Sequence, residues 1–157
     1  MNGFKKFKSV HAQESGKRMI KFTIFGEPVA AQRPRFTTRS GFAIAYTAKK
    51  MKIGLADFRT QALQFKPEKP LEGALSIKIK VFRKIPTSFS KKKLQKALTS
   101  FLRPFQRPDG SNYCKLVEDA CNGIFWHDDA QLVDIQISKF YAKNPRTEVE
   151  IEEVENV

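Results

Sequence analysis

Acidic side chains are scarce in this sequence, and soft metal ligands scarcer still. The chain carries 29 Lys+Arg against 16 Asp+Glu, with two histidines and two cysteines in 157 residues. His11, His127, Cys114 and Cys121 show no zinc-ligand spacing. The cysteines lie seven positions apart in one expected helix. At a rise of about 1.5 Å per residue, their Cα atoms stand roughly 10 Å apart, beyond the reach of a disulfide. They read as reduced, small apolar residues of a cytosolic protein. Long apolar runs are missing too, so no segment is expected to cross a bilayer. The opening stretch MNGFKKFKSVHAQESGKR is basic but lacks the apolar centre of a secretion signal. A cytoplasmic location is the expectation.

What is present suits one globular domain. Hydrophobic residues make up 41% of the chain, and 14 phenylalanines can fill a core. Residues 1–18 read as a flexible basic arm and residues 19–157 as the folded domain, with no repeat or low-complexity tract dividing it. The net charge of +13 is unevenly spread. Residues 148–157 hold five glutamates and no Lys or Arg, leaving 29 basic against 11 acidic residues, +18, in residues 1–147. Such a body attracts polyanions, nucleic acid first. A basic surface kept for solubility is the plainer account. An anionic membrane surface is a third, but no helix pairs a basic face with a large bare apolar one.

Residues 19–25, MIKFTIF, alternate as a half-buried strand, and GALSIKIKVFR at 73–83 alternates with Leu75, Ile77, Ile79 and Val81 inward. Between them, a Gly/Pro/Arg-rich loop precedes a helix over 47–65, with Thr47 as N-cap and Met51, Leu55, Phe58 and Ala62 facing the core. In PTSFSKKKLQKALTSFL, Leu94, Ala97, Leu98 and Phe101 form an apolar helical stripe. The opposite side carries Lys91, Lys92, Lys93 and Lys96, which is either a solvated face or a phosphate-contacting one. A third helix spans 111–122 and ends at Asn122-Gly123. A strand follows over 131–142, with Val133, Ile135 and Ile137 on one face. The acidic strand at 147–154 is expected to guard a sheet edge by charge, or to join a dimer contact. Strands and helices mixed in this order predict an α+β (mixed α/β) fold with a single mixed sheet and about three helices.

The stretch RPDGSNYCK at 107–115 and the pair Asp128-Asp129 invite a chemical reading. On a helical wheel, Asn112, Lys115, Glu118, Asp119 and Asn122 share one arc, and Tyr113, Leu116, Val117, Ala120 and Cys121 the other. Asp109 lies just before the helix, where negative charge is favoured. A capped surface helix with a Lys115–Asp119 ion pair accounts for all of this. It accounts less well for Asp128 and Asp129. Adjacent carboxylates repel unless one turns away, one is protonated, or a cation lies between them and other acids. Mg²⁺ takes hard oxygen ligands and can activate water for attack on a phosphate, while a nearby lysine neutralises developing charge. Asp109, Asp129 and Lys115 contain those parts. Arg33, Arg35 and Arg39 lie in a loop with Phe36 and Phe42, which suits phosphate contacts and an aromatic wedge, or a basic loop whose rings pack on the sheet. Trp126 suits a core position or a base stack, and His127 an exposed position or a proton-handling one.

The order Asp-x-x-Asn-x-x-Lys, then Asp119, Asn122-Gly123 and DDAQLVD, resembles the RusA family of Holliday-junction resolvases of bacteria and their phages. GEPVAAQRPRF resembles the family's Gly-x-Pro…Arg-Pro-Arg segment, and the likeness runs from about residue 19 to 154. It implies a homodimer that binds four-way DNA junctions and makes paired nicks with Mg²⁺, for which Mn²⁺ would substitute. Carried over by position, Asp109 and Asp129 are metal ligands and Lys115 is the lysine near the phosphate. Asn112 shapes the helix start, Asp119 supports it, and Asp128 is a neighbour or substitute ligand. Arg33, Arg35, Arg39, Lys91, Lys92 and Lys93 are candidate DNA contacts. The family pattern Asp-x-Asp-Asn becomes Asp109-Gly110-Ser111-Asn112, with a neutral hydroxyl at the second acid. Two other readings follow: a branched-DNA-binding protein with weakened cleavage, and a basic RNA-binding protein whose acids are structural.

Overall fold

The computed structural model describes residues 12–14, 16–38, 41–42 and 44–154. Alternation of apolar and polar side chains sets the long strands. They are β2 (Lys17–Phe25), β5 (Leu75–Lys84), β6 (Leu132–Ala142) and β7 (Arg146–Glu153). With the short β1 (Ala12–Glu14) they form one five-stranded sheet in the order β1-β2-β7-β5-β6. Only β5 and β6 run parallel; the other neighbours are antiparallel. β1 and the first residues of β2 lie within the stretch expected as an arm, paired from Ala12↔Met19 to Glu14↔Lys17.

One face of the sheet is apolar. Ile20, Phe22, Ile24, Leu75, Ile77, Ile79, Val81, Val149 and Ile151 are buried there. Each such side chain contributes about 1.5–3 kcal/mol by leaving water. Two helices, α1 (Lys49–Ala62) and α3 (Gly110–Cys121), pack against each other; α1 also meets β2, and α3 meets β6. Phe22 stacks on Phe125 at 4.7 Å and on Phe65 at 5.6 Å. The helix α2 (Lys91–Leu98) lies against the edge strand β6. The fold is α+β with a mixed sheet and three helices, as expected.

Four expectations need correction. The acidic strand β7 occupies the middle of the sheet between β2 and β5 rather than an edge. Its Glu148 and Glu150 register against Lys80 and Lys78; Glu150 pairs with Lys21 of β2 at 3.3 Å and Glu148 with Arg146 of β7 itself at 3.0 Å, so these acids find cations within the sheet. The helix α1 begins after Ala48, which supplies no side-chain cap, and Thr47 stands outside it. The Arg-rich loop contains a hairpin, β3 (Arg35–Thr37) with β4 (Ile44–Tyr46). Phe101 lies outside α2 and is 80% exposed, because Thr99 caps the helix and Ser100 turns the chain at φ 61°. Val133 and Ile135 are also exposed on the edge strand. Among the described residues, no helix is long and apolar enough to cross a membrane.

Candidate active site

The helix α3 is anchored by its apolar side. Tyr113, Cys114, Leu116, Val117, Ala120 and Cys121 are buried. Asp109 is the N-cap residue, yet its carboxylate makes no capping hydrogen bond to the helix. The helix closes at Asn122, and Gly123 follows at φ 78°. The outer face then presents Lys115, whose Nζ lies 3.1 Å from Asp119 Oδ1 and 4.0 Å from Glu118 Oε2. Asp119 beside it makes Lys115 hold its proton more firmly than an ordinary lysine. Arg59 of α1 donates to the Asp119 carbonyl at 2.7 Å, which ties the two helices at this level.

Asp129 lies on the connection that follows α3, and its charge adds, after larger causes, to the upward shifts of Cys121, Cys114 and Lys115. The fully buried Trp126 donates from Nε1 to Asp129 Oδ1 at 2.8 Å. Asp128 does something different. Its Oδ1 accepts from the Ala130 N–H at 2.8 Å and caps the short 3-10 turn Asp129–Gln131. Gln131 completes the box: its Oε1 accepts from the Asp128 N–H at 3.1 Å and the His127 N–H at 2.8 Å. Its Nε2 donates to the carbonyls of Leu71 at 3.0 Å and Gly73 at 3.1 Å. The neighbouring carboxylates are thus steered onto different partners.

The two cysteines are free and buried, as expected. Burial, reinforced by Glu118, pushes the Cys114 thiol up to about 12, and Cys121 is raised further, by burial first and then by the charge of Asp129. Cys114 Sγ donates to Glu118 Oε1 at 3.4 Å. Both thiols remain protonated at neutral pH and are inert as nucleophiles.

The N-terminal loop reaches the start of α3. The Ala31 N–H donates to the Asn112 carbonyl at 2.8 Å, so Arg33 and Arg35, both exposed, are held near that end. Arg39 lies outside the described residues. Lys91, Lys92 and Lys93 are exposed on α2, which Ser90 caps through the Lys93 N–H at 3.3 Å. The fold brings Lys115, Glu118 and Asp119 together on α3, and holds Asp129 through Trp126 on the connection that follows. Asp109, Ser111 and Asn112 stand at the N-terminal end of α3, with Asp109 about 9 Å from Lys115 along the helix axis. Among the described residues, no three His, Cys, Asp or Glu side chains gather as a metal-binding cluster. The carboxylates that the sequence names are hard oxygen donors of the kind Mg²⁺ takes, but they are not gathered into one cluster among the described residues. The Trp126–Asp129 bond went unread in the sequence, because it depends on how residues 126–131 turn.

The family model described as Endodeoxyribonuclease RusA matches residues 26–152. A Bacillus subtilis (strain 168) protein described as the uncharacterized protein YqaN is 44% identical over 137 residues, covering 86% of this chain and 96% of its own length. The chain belongs to the RusA endodeoxyribonuclease family.

Proposed function

We propose that this protein is a Mg²⁺-dependent, structure-selective endodeoxyribonuclease that resolves four-way DNA junctions by paired phosphodiester hydrolysis. Family membership supports the class of activity. One observation carries this reading of the site: the Asp129 carboxylate is held in place by a buried indole, as a metal-ligating acid needs. Lys115, kept protonated by Asp119, stabilises the negative charge that builds on the scissile phosphate. Asp109 and Asp129 would hold Mg²⁺, or Mn²⁺ in its place, with Asp128 left to shape the turn. When bound, such an ion polarises the phosphate and strengthens water as a nucleophile. Arg33, Arg35, Arg39, Lys91, Lys92 and Lys93 would hold the backbone around the cut. A homodimer would present two sites to the two symmetric strands of a junction. Free, buried thiols suit a cytoplasmic place of action.

The test is a labelled four-way junction incubated with pure protein, with and without Mg²⁺ or Mn²⁺. Paired symmetric nicks that need the ion are expected. A chain that binds the junction but nicks it with neither ion would point to the second reading, a branched-DNA-binding protein. Ser111 favours that reading, because its hydroxyl replaces an acid of the family pattern. Under the nuclease reading, Ser111→Asp raises the cleavage rate or lowers the Mg²⁺ concentration needed. A fall in both would show that another group, Glu118 foremost, already takes the place of the missing acid.

A further inference from the structure

The segment between α2 and α3 holds its backbone firmly and leaves its rings bare. After Ser100 turns the chain, the Leu102 N–H donates to the Lys96 carbonyl at 2.9 Å. Pro104 is buried. Arg103 donates from Nε to the Lys139 carbonyl at 2.8 Å, and its guanidinium lies 4.1 Å from the Phe140 ring centroid. Arg83 donates to the Arg107 carbonyl at 3.2 Å. Lys139 Nζ donates to the carbonyls of Gln106 and Pro108, both at 3.0 Å. Against this bracing, Phe101 and Phe105 are 80% and 86% exposed, the two barest large apolar side chains among the described residues. The bracing thus fixes the backbone of the segment while both rings stay in water.

The surroundings point to the occupant. Residues 73–108 contain ten Lys or Arg and no Asp or Glu. Lys96 Nζ lies 5.5 Å from the Phe101 centroid. A second copy of this chain docked here would set those cations against their equals. A nucleic acid instead offers phosphates to the cations and flat bases to the rings. Paired bases inside a duplex are already stacked, so the bases that suit these rings are the unpaired ones at a branch. Phe105 precedes Asp109 by four residues, so this segment leads directly into the end of α3 that carries the proposed ligand.

We propose that Phe101 and Phe105 form a stacking platform for unpaired nucleobases at the branch of a DNA substrate. The inference rests on the nuclease reading for its location beside the cut, but its test separates the two. The full chain, the variant Phe101→Ala/Phe105→Ala and the variant Phe101→Tyr/Phe105→Tyr are each titrated into three DNAs. These are a four-way junction with 2-aminopurine at its centre, a linear duplex of the same sequence, and a single strand containing 2-aminopurine. Base stacking on aromatic side chains predicts that the alanine variant loses about tenfold to a hundredfold in junction affinity. Its affinity for the duplex should change by no more than about twofold, since phosphate contacts dominate there. It should also lose the 2-aminopurine signal, and the tyrosine variant should retain it. Equal weakening on junction and duplex, or unchanged junction affinity, overturns the platform, as does a variant that loses a dimer seen in the parent by sedimentation. A parent chain that cuts junctions while its alanine variant binds them equally well sinks the platform and leaves the nuclease reading standing. A parent chain with a ring-dependent single-strand signal but no cleavage does the reverse.

Discussion

Asp128 and Asp129 are neighbours in sequence and opposites in role. The first accepts from the backbone of its own turn, while the second accepts from a buried indole. The two carboxylates are thereby turned to different partners, which lessens the repulsion expected of adjacent acids. Trp126 is therefore a positioning residue in the proposed site, since it fixes one oxygen of Asp129 and the direction of the other. Trp126→Phe keeps an aromatic body in the core but deletes the donor. A hydrogen bond to a charged group contributes about 1.5–3 kcal/mol, so urea unfolding should register a loss of that order. The Mg²⁺ dependence of junction cleavage should shift to higher concentration as well. An unchanged metal dependence in a destabilised variant would mean that Trp126 serves packing alone. The sequence revealed Asp129 through motif order, but its partner depends on how residues 126–131 turn, and no local pattern encodes that.

At the scale of elements, legibility followed periodicity. The alternation in β5 was read correctly because each inward residue meets the same core, and all four inward positions are buried. The stripe of α2 was read too far, because the helix stops at Leu98 while the apolar spacing continues to Phe101. Strand order is a global property, so the charges of β7 suggested an edge while its pairing put it at the centre. One helix contact was also invisible: Gly54 of α1 lies against Val29, and a Cβ there would meet the Val29 side chain at 2.7 Å. That close approach seats the loop whose Ala31 is bonded to Asn112 and whose arginines follow. Gly54→Ala would ordinarily favour an exposed helix. Here overpacking should destabilise the fold by about 1–3 kcal/mol. The variant should also weaken DNA binding by moving Arg33 and Arg35. Val29→Ala should relieve the clash only in part, because Val29 Cβ is itself among the close atoms. A Gly54→Ala protein as stable as the parent in thermal unfolding would refute this packing account.

The whole molecule places a small acidic group inside a basic body. That contrast was legible from composition, and it frames the site: Lys115, Glu118 and Asp119 share one side of α3, while exposed cations stand on the loop before β3 and on α2. The thermodynamics of the entire fold should also register the two buried thiols. Their folded pKa values lie above the ordinary 9.0, with Cys114 at about 12. The folded state therefore holds protons that the unfolded state releases, and stability must fall as pH rises. The contribution is intact below about pH 9 and is lost progressively from there toward about pH 12. By about pH 9.5 the loss should be on the order of 1 kcal/mol per thiol. Urea midpoints measured between about pH 7.5 and 9.5 should drop in the parent chain and drop less in Cys114→Ala/Cys121→Ala. Equal slopes in the two proteins would show that the thiols titrate alike in both states.

The measurement closest to the centre of this account compares the parent chain with Asp129→Asn on one four-way junction, scoring binding and cleavage separately in saturating Mg²⁺. The amide keeps the size of the side chain and an acceptor for Trp126 while removing the charge. Cleavage should fall by about a hundredfold to a thousandfold, on the scale of losing a principal electrostatic group, while junction affinity stays within about threefold because phosphate contacts elsewhere carry it. An Asp129→Asn protein that nicks the junction at the parental rate would contradict the account, and the chemistry would then have to lie away from this face of α3.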